Sequence, residues 1–225
     1  MDLGKAFKRY GSVVESFVHK TRSKKNTDLI SKPSFVLDGV YILHETLGVK
    51  DVEGWNPEDN KGVVGILLIE DDHKIVVALE DSPKNLIWSE ERGLINHPFE
   101  NRGEAESDFN GEEYCRKLNS PDFPAAYYCK TYNKGGRSWY LPSSGELWLI
   151  YNHLEEIQNA LSIVGGQKFV TIWDDDDAPV YWSSTEGSPG GAWALDIYDV
   201  YLGGYGKVSD GGKVRPISKF NFSNL

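Results

Sequence analysis

Cysteine is scarce in this chain: Cys115 and Cys129 are the only two in 225 residues. Two thiols are too few for a metal site built of cysteine alone, and too few for a disulfide scaffold. They leave open one bridge in an exported protein or two buried free thiols. Long apolar runs are also missing, and nothing approaches the roughly 20 residues that cross a bilayer. Met1 to Tyr10 lacks the apolar core of a secretory signal. The expectation is therefore either no export by that route or a start downstream of a cleavage site. No phosphate-binding or dinucleotide fingerprint occurs. Gly203-Gly204-Tyr205-Gly206 lacks the strand, turn and helix that such a loop requires.

Catalytic groupings are equally sparse. His19, His44, His73, His97 and His153 are scattered, and none pairs with a cysteine or serine in a recognised motif. Glu155 and Glu156 are adjacent on a helical stretch and point in different directions. The reading is no enzyme. Basic residues are outnumbered, 24 against 34, for a net charge of −10. Residues 1–25 alone carry +5, so the remainder carries −15. An acidic body argues against nucleic acid as the partner.

What the chain does have is aromatic side chains. Hydrophobic residues make up 40% and aromatics 12%, enough for a real core. Five of the seven tryptophans, Trp139, Trp148, Trp173, Trp182 and Trp193, lie after residue 138. Residues 5–20 repeat apolar side chains every three or four positions and predict an amphipathic helix, followed by a polar basic linker. The expected division is a helical arm over 1–33 and a domain over 34–225. The arm is a candidate for assembling copies of the chain into a homo-oligomer.

Within the domain, 35–44 reads as a strand, and 63–69 and 74–79 as a hairpin around Asp71-Asp72-His73. Neither hairpin arm alternates cleanly, which predicts burial on both faces. Residues 90–107 read as polar and irregular. Asn110 stands three before Glu113, at capping-box spacing, and opens a short helix through Leu118. Residues 125–132 read as a helical turn or a strand. Ser143 and Glu146 form a second capping pair, and Leu147, Ile150, Tyr151, Leu154, Ile157 and Leu161 predict one helix ended by Gly165-Gly166. Strands follow at 180–185, 192–198 and 214–220. In the second, Trp193, Leu195 and Ile197 are expected to face the core and Ala194, Asp196 and Tyr198 the solvent. The fold class is α+β.

Several blocks carry a resemblance: Trp139-Tyr140-Leu141-Pro142-Ser143, Gly145-Glu146-Leu147, Tyr181-Trp182-Ser183-Ser184-Thr185-Glu186, Ala192-Trp193 and Val214-Arg215-Pro216. In this order and spacing, the segment from about 110 to 220 resembles a bacterial family of C-type-lectin-like domains, the DUF1566 type. Some such domains are variable proteins of diversity-generating retroelements, in which error-prone copying at adenines rewrites the end of the gene before a Val-Arg-Pro-like stop. The resemblance implies a C-type-lectin-like fold carrying a changeable surface, and a place on a cell surface or virion.

Residues 198–212 suit that implication. They hold Tyr198, Tyr201, Tyr205, five glycines, Asp199, Ser209 and Asp210. Adenine mutation of AAY codons reaches every residue type there except that of Lys207, and reaches all of 187–191, Ala194, Leu195 and Asp196. Tyrosine with glycine and serine is also the composition of antibody paratopes. The expected ligand contacts are Ala194, Asp196, Tyr198, Asp199, Tyr201, Leu202, Tyr205, Ser209 and Asp210, against a protein or glycan ligand. The bland alternative is a glycine-rich surface loop.

Asp174 to Asp177 offer carboxylates for calcium, but four consecutive aspartates cannot all face one ion, and the calcium-dependent sugar motifs of lectins, Glu-Pro-Asn and Trp-Asn-Asp, are missing. The expectation is no cofactor, with calcium the one candidate to test. Trp182 and Trp193 read as core, and Arg215 as an anchor for the last strand through a salt bridge. Two other functions compete with a diversified binder: a lectin-like module of fixed specificity, and a structural subunit of a surface or virion assembly.

Overall fold

The apolar run Val63-Val64-Gly65-Ile66-Leu67-Leu68-Ile69 is the middle of the structure. In the computed structural model, which describes residues 37–173 and 178–222, it forms β3 (Val63–Glu70), buried along seven of its eight residues. β1 (Gly39–His44) and β4 (His73–Val77) flank it. β2 (Gly48–Asp51) and β8 (Ile217–Lys219) complete an antiparallel sheet in the order β2-β1-β3-β4-β8. The missing alternation of the 63–79 hairpin is thereby explained, because the central strand has no solvent face. The expected helical arm and Asp174–Asp177 lie outside the described residues.

Five helices follow in the chain: α1 (Arg102–Glu106), α2 (Gly111–Lys117), α3 (Pro124–Thr131), α4 (Ser144–Asn152) and α5 (Leu154–Ile163), of which α4 and α5 share a core with this sheet. Leu147, Ile150, Ile157 and Leu161 enter one core with Ile42, Ile66, Leu68 and Val77. The single helix expected through Leu161 is two. The break at His153 has φ −111° and ψ 21°, and its ring bonds Glu70 on β3. Asparagine and histidine are weak helix formers, so Asn152-His153 yields to this contact. The apolar phase runs on across the break, which hides it from the sequence pattern. Gly165, with φ +71°, ends α5 as expected.

The two capping expectations part company. Glu146 accepts the Ser143 N–H at 2.8 Å, closing the start of α4. Asn110 makes no cap for α2, because its side-chain amide donates to Asp108 Oδ1 at 3.0 Å instead. The stretch read as irregular holds α1, capped by Asn101, which accepts from the Glu104 N–H.

The second sheet is β5 (Val180–Ser188), β6 (Gly191–Asp196) and β7 (Tyr201–Gly206), all antiparallel. β7 corrects the expectation of a loop over 198–212: its six residues pair with β6 from Gly191↔Gly206 to Asp196↔Tyr201. Two adjacent glycines hid the strand by removing its alternation. The chain is thus a mixed α and β protein built on two antiparallel sheets.

Candidate functional site

Cross-strand pairing sorts the β5-β6-β7 sheet into two faces. Tyr181, Trp193, Leu195, Ile197 and Leu202 enter the core shared with α4 and α5. Val180, Trp182, Ala192 and Ala194 enter a second core with Trp88, Leu118, Leu141 and Val214. Trp182 is core as expected, whereas Ala194, on the β6 part of this face, was expected to meet solvent. The face is covered, because residues 86 and 212 bridge each other across it and Trp182 packs beneath, its indole N–H donating to the Leu86 carbonyl at 2.7 Å. The small Ala192 and Ala194 leave the volume that Trp88 and Trp182 fill.

The expected contact residues therefore separate. Ala194 and Leu202 are buried, at 0% and 1% exposure, and are corrected to core positions. Asp196, at 4%, does not face solvent either. Its Oδ1 accepts the N–H of Tyr198 at 2.9 Å and of Asp199 at 3.1 Å, and so holds the turn between β6 and β7. Tyr198, Asp199 and Tyr201 are exposed, with Tyr198 at 58% and Tyr201 at 52%. Ser209 and Asp210 lie beyond the other end of β7. There Asp210 accepts the Gly206 N–H at 2.6 Å and the Ser209 hydroxyl at 3.1 Å.

Tyr201 and Tyr205 share one face with Gly203 between them. A Cβ on Gly203 would stand 2.1 Å from the Tyr201 ring, so the ring lies where that side chain would be. Tyr205 is half-buried and meets Trp182 edge to face at 6.2 Å. Burial raises its phenol pKa first, and Asp196, Tyr201, Asp199 and Asp210 raise it further. The two tyrosines therefore form an aromatic strip with carboxylates around it.

The sequence reading missed Val200. It is 41% exposed, and its φ of +54° is a left-handed conformation that β-branched residues rarely adopt. The sequence held no signal for it, because the turn of four residues is defined only once Asp196 pairs with Tyr201 on β7, the strand that the glycines hide. Such strain costs about 1–2 kcal/mol. Val200→Gly should raise Tm by about 2–4 °C, corresponding to about 1 kcal/mol for a domain of this size. An unchanged or lower Tm would mean that the valine side chain contributes packing that outweighs the strain.

Two buried ion pairs fasten this sheet to its surroundings. Lys207, fully buried, pairs with Glu186 on β5, donates to the Gly93 carbonyl at 2.7 Å and lies 4.6 Å from the Trp88 ring centre. Glu186 also accepts the Ile95 N–H. Arg215 pairs with Asp81, donates to the Ala78 and Gln167 carbonyls and stacks 4.2 Å over Phe169. Its expected anchoring role has a definite partner in Asp81, which also accepts the Tyr181 hydroxyl at 2.9 Å.

Among the described residues, no group of three His, Cys, Asp or Glu is placed to hold a metal ion, and no helix is long and apolar enough to cross a membrane. Cys115 and Cys129 are free thiols, and burial pushes the Cys115 thiol up to about 12.

No protein-family model and no curated protein matches the chain. Among solved structures it is similar to a fimbrial protein from Bacteroides ovatus ATCC 8483, with a TM-score of 0.58 and 17% identity over 82% of this chain and 49% of that one. The chain spans about half the length of that protein. At this identity the likeness is one of fold.

Proposed function

We propose that this chain is a non-enzymatic binding protein of the surface-displayed, adhesin-like kind, which presents the β6–β7 hairpin as its recognition surface. The observation that carries the reading is the joint exposure of Tyr198 and Val200 on one strained four-residue turn and of Tyr201 at the start of β7 beside it. Exposed large apolar side chains grouped on a surface mark interaction sites more often than isolated ones do. The likeness to a fimbrial protein is compatible with such a role.

The finer reading is a C-type-lectin-like domain whose hairpin is diversified by a retroelement. The motif residues that carry this resemblance have structural duties: Ser143 and Glu146 start α4, Thr185 donates to Asp108 at 2.6 Å, and Arg215 is an anchor. Lys207, the one residue of 198–212 outside the AAY set, is also the one whose charge is buried in an ion pair. A division into fixed supports and free surface residues is what diversification requires. Sequencing the DNA around the gene tests it. A nearby copy of codons 187–215 differing almost only at adenines would establish the mechanism, and absence of any such copy would end it.

The binding surface itself has a separate test. Tyr198→Ala with Tyr201→Ala should leave Tm within about 2 °C, because both rings are more than half exposed, while ligand capture is lost. Tyr205→Ala should cost about 1 kcal/mol, because that ring packs on Trp182. A large loss of Tm in the first variant would make the tyrosines core and remove the site. The fimbrial likeness also favours a second reading, a structural subunit whose hairpin packs on a neighbour. A solution mass above that of one chain, returning to one chain in the double variant, would select it.

A further inference from the structure

We propose that the partner of the hairpin is basic: the strip between Asp199 and Asp210 takes an extended peptide segment with arginines four residues apart. This rests on the reading of the hairpin as the recognition surface and adds the chemistry of what it recognises. Charge is the first observation. From 191 to 212 the acidic residues are Asp196, Asp199 and Asp210, and the one basic residue is Lys207. Lys207 is fully buried and paired with Glu186, so it does not balance them at the surface. Asp196 is buried and holds the turn, which leaves Asp199 and Asp210. The exposed Asp199 carboxylate forms no ion pair among the described residues. Helix α1 packs against β7 and adds Glu104, which is exposed and also forms no ion pair among the described residues. Arg102 on the same helix is already paired with Glu106 at 2.6 Å.

The second observation is where the carboxylates stand relative to the rings. Asp199 lies in the turn that the Asp196↔Tyr201 pair closes, at the Tyr201 end of β7. Asp210 lies at the Tyr205 end, where its carboxylate accepts the Gly206 N–H at 2.6 Å. Besides burial, Asp196, Tyr201, Asp199 and Asp210 each push the Tyr205 phenol pKa up, so the carboxylates surround this strip. Tyr201 and Tyr205 point to the same face, their backbones about 13 Å apart along the strand. Gly203 between them has no side chain, and the Tyr201 ring lies where one would be. An extended peptide has the same rise per residue as β7, so arginines at i and i+4 reach both ends of the strip together. A guanidinium suits each end, because it stacks on a ring while its N–H groups pair with a carboxylate.

Isothermal titration of the full chain with three end-capped pentapeptides tests this: Arg-Gly-Ser-Gly-Arg, Arg-Arg-Gly-Ser-Gly, and the first with citrulline in place of arginine. The first should bind in a saturable way, about tenfold tighter than the citrulline peptide, which has the same shape without the charge. The second carries the same charge as the first and should bind about threefold more weakly, because it does not reach both ends. Asp199→Asn and Tyr201→Ala should each weaken the first peptide about threefold, the size of one exposed ion pair or one exposed ring–cation contact, and leave Tm within about 2 °C. The proposal is overturned if the two arginine peptides bind equally, if the citrulline peptide binds as tightly, or if no saturable binding occurs up to the solubility limit. It is also overturned if neither variant weakens the first peptide, since binding is then elsewhere on the acidic body. The hairpin reading itself fails differently, by a large loss of Tm in Tyr201→Ala.

Discussion

Arg215→Met is expected to destabilise the protein by about 3–5 kcal/mol, the cost of removing one partner of a buried ion pair. The guanidinium has no exposure, and neither has the Asp81 side chain. Taking it away leaves the Asp81 carboxylate buried with the Tyr181 hydroxyl as its remaining side-chain donor. It also strands the Ala78 and Gln167 carbonyls that the guanidinium served. Those carbonyls lie after β4 and after α5, and Asp81 also holds Tyr181 on β5, so the damage reaches both sheets. At about 2–4 °C per kcal/mol, Tm should fall by roughly 6–20 °C. Arg215→Met combined with Asp81→Asn should recover part of the loss, since the uncompensated charge is then gone. If Arg215→Met alone costs less than about 1 kcal/mol, water reaches the pair and its structural role is wrong.

The second large effect is a dependence of stability on pH. Burial raises the Glu146 carboxyl from 4.5 to about 7, against the opposing pull of the Ser143 N–H, the hydroxyls of Tyr140 and Ser143, and Lys219. Between those two values the folded protein holds a proton that the unfolded chain has released. Stability from this group is therefore complete below pH 4.5 and is lost as pH rises through about 7. The span corresponds to about 3 kcal/mol. Glu146→Gln keeps an acceptor for the Tyr140 hydroxyl and cannot titrate. Denaturation followed from acid to neutral pH should show this loss in the parent protein and not in the variant. A variant that loses as much as the parent across that window would assign the dependence to other groups.

Much of the body was legible in the sequence wherever a local signal fixed the structure. Ser143 with Glu146 marked the start of α4, and Gly165 the end of α5, because capping is decided within a few residues. Asp71-Asp72 marked the β3–β4 turn for the same reason. Failures came where distant chain decided. The face of β6 carrying Ala194 and Asp196 looked solvent-facing from its alternation, but residues 86 and 212 cover it, and no local pattern records that crossing. Strand β7 went unread because Gly203 and Gly204 carry no side chains to alternate. At the site, composition picked out Tyr198, Asp199 and Tyr201 as candidates that prove exposed. It could not tell them from Leu202, which pairs opposite Leu195 and faces inward. The pairing of Lys207 with Glu186 spans 21 residues, and that of Arg215 with Asp81 spans 134. Neither partner was identifiable from sequence alone.

The late position of β8 has a consequence for how the molecule is made. β4 stays an open sheet edge until Ile217 to Lys219 arrive to pair with it, and Tyr140 waits for the same strand. A growing chain with β1 to β4 already synthesised thus carries an unpaired, apolar strand edge for about 140 further residues, while contacts this distant in sequence close slowly. Synthesis that stalls before residue 217 leaves that edge available to any other nascent chain. A ribosome-bound chain should therefore depend on chaperone cover until β8 has emerged, and become protease-resistant only then.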